Sequence, residues 1–152
     1  MSAEAFNQFE SGGDHQVVSP LSPLIGRDAE ISGVTRALRD PSIRLITLLG
    51  PGGVGKTRLA LAVARTLRAS FADGVLLVSL VTTTTPDQAL GALAAALGIA
   101  ESTETSLETT IVETLAERHQ LLVLDNLEQV TEVGPAIARI LAQAPDIKAL
   151  GD

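Results

Sequence analysis

The sequence has no cysteine, no tyrosine and no tryptophan, and only three phenylalanines in 152 residues. Without cysteine there is neither a disulfide framework nor a thiolate metal site. The two histidines, His15 and His119, stand too far from any matching ligand cluster to point to zinc. With so little aromatic bulk, the core has to be built from Leu, Val, Ile and Ala. Such a core suits a parallel sheet covered by helices, whose strands read as continuous aliphatic runs. Positive charge is also scarce: 11 Lys and Arg stand against 18 Asp and Glu, a net charge of −7. A surface this acidic is a poor match for a nucleic-acid backbone, where affinity comes largely from neutralising phosphates. No direct nucleic-acid contact by this segment is expected, and only a local cationic site for a small anion stays open. Residues 1–20 lack a basic start followed by an apolar stretch, so no secretory signal is expected. The longest apolar stretch, Ala89–Ala100, falls short of the ~20 residues of a membrane helix. A cytoplasmic location without membrane contact is the expectation.

The content is that of a packed domain, 45% hydrophobic and 19% charged, rather than of a disordered chain. Residues 1–20 read as a flexible polar tail closed by Ser19-Pro20-Leu21-Ser22-Pro23. Residues 21–152 read as one domain without internal repeats, in which helical and strand signals alternate. Helices are predicted over Asp28–Arg39, Lys56–Ala69, from Pro86 to about Leu97, from Leu107 onward and over Pro135–Ala144. Thr85-Pro86-Asp87-Gln88 and Thr105-Ser106-Leu107-Glu108 both carry the pattern of a capping box. Aliphatic strands are predicted at Arg44–Leu49, Val75–Leu80, Leu121–Leu124 and from Ile147 to Leu150. This alternation implies an α/β fold with a parallel sheet and helices on both faces. Right-handed crossovers then align the strand C-termini along one edge, where ligands bind in such folds.

Two motifs fall at that edge. Gly50-Pro51-Gly52-Gly53-Val54-Gly55-Lys56-Thr57 fits GxxxxGK[ST], between a strand and an amphipathic helix. Its glycines allow successive N–H groups to point into one concavity that a phosphate can enter. The helix that follows adds its own free N–H groups and dipole. Lys56 supplies a point charge for the β- and γ-phosphates, Thr57 a hydroxyl for Mg²⁺, and Arg58 continues the basic start of the helix. A chance match in a chain of this length would arise roughly once in two hundred sequences. The second motif, Leu121-Leu122-Val123-Leu124-Asp125, ends a buried strand on an acid that can hold Mg²⁺ through its hydration shell. Alone, such an acid is usually a turn or cap residue; paired with the phosphate loop it reads as a metal-site carboxylate. Glu128, just beyond it, is placed to orient or deprotonate a water, or else is a solvated carboxylate before a helix. His119 reads as a strand-boundary residue and Thr82–Thr85 as a loop.

Three stretches together resemble a known family: Leu24-Ile25-Gly26-Arg27-Asp28-Ala29-Glu30, then LLGPGGVGKTRLALAVA, then LLVLDNLEQV. Over about residues 21–150 they resemble the P-loop NTPase module of STAND ATPases, the NB-ARC-like class related to apoptotic and plant-resistance ATPases. The likeness is nearest to bacterial LuxR-type and antibiotic-regulator transcription factors. It implies ATP or ADP with Mg²⁺ rather than a guanine nucleotide, and no Asn-Lys-x-Asp base-reading motif occurs. It implies that Ile25, Gly26 and Arg27 lie beside the adenine and ribose and that Asp125 is the metal-site acid; Lys56, Asp125 and Glu128 are the candidate catalytic residues. It also implies a switch in which nucleotide controls assembly with the rest of a regulator or other subunits, hydrolysis being slow, regulatory or absent. Asn126 stands where the apoptotic and plant branches often carry a second acid, which argues against fast turnover. The fourth strand is expected between the strand of the phosphate loop and that of Asp125. The chain reads as stopping in that strand, before the family's Thr-Ser-Arg-like sensor, so the fold is expected to be incomplete at its C-terminus, with uncovered surface at β-strand four. A conventional ATPase and a non-catalytic interaction fragment remain as alternatives.

Overall fold

The computed structural model describes residues 27–50, 55–100 and 102–152. The predicted tail over residues 1–20 lies outside them. The first helix, α1 (Asp28–Arg39), has the bounds its sequence predicts. Asp28 and Glu30 sit in its first turn and Arg36 and Arg39 in its last, each sign opposite the helix-dipole end beside it. Asp40 turns extended ahead of Pro41, which ends the helix. Strand β1 (Leu45–Thr47) is shorter than the aliphatic run around it. Backbone bonds from Ala149 N–H to Arg44 C=O and from Leu48 N–H to Gly151 C=O extend its pairing by one residue at each end. Helix α2 (Lys56–Leu67) then yields to a 3₁₀ turn at Arg68–Ser70, so the helical run predicted to Ala69 tightens in its last turn. The chain continues through β2 (Val75–Ser79), α3 (Pro86–Ala96), α4 (Leu107–Ala116) and β3 (Gln120–Asp125). A 3₁₀ segment over Leu127–Val133, α5 (Gly134–Gln143) and β4 (Ile147–Gly151) complete it.

The four strands are all parallel, in the order β1-β4-β3-β2. The fold is therefore α/β, with β4 between the strand leading to the phosphate loop and the strand ending at Asp125, as expected. Alternation along β3 divides the core in two. Leu121 and Val123 join Leu38, Val63, Leu67 and Leu150 beneath α1 and α2. Leu122 and Leu124 join Leu93, Ile111, Leu115 and Ile140 beneath α3, α4 and α5.

Three expectations change. The uncovered surface expected at the fourth strand is absent: β4 pairs with β1 on one side and β3 on the other, and Ile147, Ala149 and Leu150 are fully buried. The physical reason is its central place; among the described residues β1 is then an edge strand, with Leu45 36% exposed. The second correction concerns α3. Thr85 Oγ1 accepts from Gln88 N–H as an N-cap should, but Gln88 Oε1 takes the N–H of Thr84 at 2.8 Å, one residue before the cap. The third concerns α4, whose N-cap is Ser106 rather than Thr105, accepting from Thr109 N–H at 3.2 Å. Glu108 is thereby released from the capping box and grips Arg139 of α5 through two hydrogen bonds, 2.8 and 3.1 Å long.

Candidate functional site

Helix α2 begins at Gly55, whose backbone is left-handed at φ 78°, ψ 28°, a conformation that costs any residue with a Cβ. Among the described residues no side chain caps this helix and its first turn contains no acid, as in α5, whereas Thr85 and Ser106 cap α3 and α4. Its N-terminal charge is thus left for an outside anion, which fits a phosphate. Lys56, Thr57 and Arg58 occupy that first turn, with Arg58 exposed. Gly50, at the other end of the loop, closes the β1 side and is exposed. Ile25, Gly26, Pro51, Gly52, Gly53 and Val54 lie outside the described residues. Arg27 is described at the start of α1, where its guanidinium donates to Glu30 at 3.4 Å.

The topology brings the two motifs together. Thr57 Oγ1 donates to Asp125 Oδ1 at 3.1 Å across 68 residues of sequence. A hydroxyl and a carboxylate in contact are the hard oxygen donors that Mg²⁺ prefers, so the pair fits that ion. Lys56 Nζ lies 2.6 Å from Glu128 Oε2, and the lysine side chain is only 11% exposed. Glu128 stands in the 3₁₀ segment after β3. The chain reaches it through Asn126, the one non-glycine with positive φ (63°) among the described residues, a conformation that asparagine tolerates.

Sequence reasoning missed one residue here. Asp152, directly after β4, is buried at 4% exposure. Its N–H donates to Leu124 C=O, its Oδ1 accepts from Asn126 N–H at 2.8 Å, and its C=O accepts from Glu128 N–H. It therefore fixes the turn that carries Asn126 and Glu128. Its other oxygen, Oδ2, is buried and among the described residues has no hydrogen-bond partner. The available signal was positional: an acid ending the fourth aliphatic run, as Asp125 ends the third. Gly151 beside it allows close packing, since a Cβ there would come within 2.4 Å of Leu127 Cδ2. Burial pushes the Asp125 carboxyl up to about 6, and the neighbouring Asp152 carboxylate adds to the rise, against the opposing hydrogen bond from Thr57. An open cleft of about 780 Å³ lined by Asp87, Leu90, Leu107, Val112 and Gln143 lies between α3, α4 and α5 and shares no residue with this cluster.

A parallel sheet with a glycine-led helix and a strand-end acid meeting at one edge is a pattern found in many nucleotide-binding folds, and the comparison with known families decides among them. The profile of the AAA ATPase domain matches residues 23–150.

The chain belongs to the AAA ATPase domain family.

This AAA ATPase domain is 35% identical over 123 residues to an uncharacterized protein of Mycobacterium tuberculosis, an alignment covering 81% of this chain and 31% of that protein. It is 36% identical over 138 residues to the regulatory protein AfsR of Streptomyces coelicolor, covering 80% of this chain and 14% of AfsR. The chain thus spans less than a third of the length of these relatives. Among solved structures, Cdc6p of Pyrobaculum aerophilum matches with a TM-score of 0.64 at 21% identity, over 88% of this chain and 41% of that one. The Aeropyrum pernix ORC2 protein, solved as ADPNP–ADP complexes, matches with a TM-score of 0.61 at 15% identity, over 84% and 41%. At those identities the likeness establishes the fold of the AAA ATPase domain. No helix among the described residues is long and apolar enough to cross a membrane.

Proposed function

We propose that this AAA ATPase domain is the ATP–Mg²⁺-binding switch of a STAND-type transcriptional regulator, working in the cytoplasm with slow turnover. One observation carries the nucleotide part: the Thr57–Asp125 contact at 3.1 Å, which joins the two halves of a metal and phosphate site from distant parts of the sequence. In this reading the domain occupies residues 21–152 behind a tail of residues 1–20. The loop Gly50–Thr57 and Arg58 hold the phosphates, Lys56 meets their β- and γ-oxygens, and Thr57 and Asp125 hold Mg²⁺. Ile25, Gly26 and Arg27 lie beside the base and ribose. When bound, Mg²⁺ supplies neutralisation of charge on the phosphate oxygens. The ADPNP–ADP complexes of the Aeropyrum protein support the choice of an adenine nucleotide. The name of AfsR supports a regulatory setting, with partners in the rest of such a regulator or in other subunits. Slow turnover is supported by Asn126 in place of a second acid, and by the engagement of Glu128 with Lys56.

The test is calorimetric titration of the 152-residue chain with ATP and Mg²⁺, beside Lys56→Ala. Micromolar binding that the mutant loses is the expected result. A folded chain that binds neither ATP nor ADP would overturn the reading and favour a non-catalytic interaction fragment. Turnover on the order of 1 s⁻¹ or faster would favour a conventional ATPase.

A further inference from the structure

We infer that Glu128 is the resident counter-ion of Lys56 and competes with nucleotide phosphate for it, a role that rests on the nucleotide-site reading above. Lys56 is nearly buried, and a buried ammonium is costly without a partner. Glu128 provides one, its Oε2 2.6 Å from the ammonium, within reach of a charge-assisted hydrogen bond. The contact is built by the fold. The two residues lie 72 positions apart, and the backbone N–H of Glu128 is held by the carbonyl of Asp152 at 3.1 Å. The carboxylate is therefore delivered from the edge formed by β3 and β4, onto the first turn of a helix that has no acid of its own.

The consequence is competition. A phosphate arriving at the N-terminus of α2 brings negative charge to the place where Glu128 already neutralises the lysine. Keeping both would set carboxylate against phosphate, so the carboxylate has to withdraw. The Glu128 side chain is 40% exposed, so it can withdraw by rotating toward solvent while its backbone stays held by Asp152. Until it does, Glu128 is engaged by a cation and not poised as a base toward water.

The test is calorimetric binding of Mg²⁺ with a non-hydrolysable ATP analogue, AMP-PNP, to the full chain and to Glu128→Gln and Glu128→Asp. Glutamine removes the charge, while aspartate keeps it but falls one methylene short of the lysine. Both variants are expected to bind about fivefold tighter than the natural chain, the scale of losing one partly exposed ion pair. Tightening by Gln alone would mean general repulsion and overturn the role, as would unchanged or weaker binding by both. If only the variants bind, competition is supported in its strongest form. If all three stay folded by circular dichroism and none binds, the nucleotide-site reading falls and this role falls with it.

Discussion

At the scale of single residues, Asp125 works against the fold that holds it. Its carboxyl, at about 6, keeps its proton more tightly than the ordinary aspartate value of 3.8, because burial and the Asp152 carboxylate disfavour its charge. Between those two values the folded chain binds more protons than the unfolded one. The stability contributed by the protonated group is therefore complete below about 3.8 and is lost as the pH rises through 6. Asp125→Asn keeps an acceptor for Thr57 and removes the charge. In chelator-containing buffer its thermal midpoint at pH 8 is expected to rise by about 4–8 °C, the equivalent of about 2 kcal/mol in a chain this size, with little gain at about pH 3, below both values. Melting curves at the two pH values check this, and an equal gain at both would contradict it. Lys56, Thr57 and Asp125 were legible in the sequence because each sits at a fixed place in a motif with its own chemistry. Asp152 and the Lys56–Glu128 pair were not, since both depend on which strand ends the sheet brings side by side, and no local pattern records that.

At the scale of elements, the sequence is most readable where a helix announces its own ends. Helix α1 runs from Asp28 to Arg39 because acids, bases and a proline mark both termini. The start of α4 is harder, since Thr105 and Ser106 are both good caps and the acid three residues after Thr105 favours the wrong one. Tertiary contact decides: Arg139 on α5 takes Glu108 for itself. Ser106→Ala is accordingly expected to cost about 1 kcal/mol, or about 2–4 °C in thermal midpoint, while Thr105→Ala leaves the midpoint unchanged. Differential scanning calorimetry of the two variants distinguishes the caps. A drop with Thr105→Ala instead would move the helix start by one residue. Helix α2 follows another logic, with a left-handed glycine and no cap of its own, because its N-terminus faces the site.

At the scale of the whole molecule, one sheet separates two aliphatic cores, and β3 contributes to both. Leu121→Ala opens the core under α1 and α2, and Leu122→Ala the core under α3, α4 and α5. Each is expected to cost about 2–5 kcal/mol. Because the shared strand ties the two cores together, both variants should still melt in a single transition, with near-equal calorimetric and van't Hoff enthalpies. Two separated transitions would show that the cores melt independently. The strand order β1-β4-β3-β2 also bears on how the protein is made. On the ribosome, β1 emerges long before β4, its partner among the described residues, and β3 has just one of its two neighbours until Ile147–Gly151 is synthesised. Nascent chains must therefore keep the aliphatic edges of two strands waiting for a third, a stage at which chaperones and wayward strand pairing compete for the same surface.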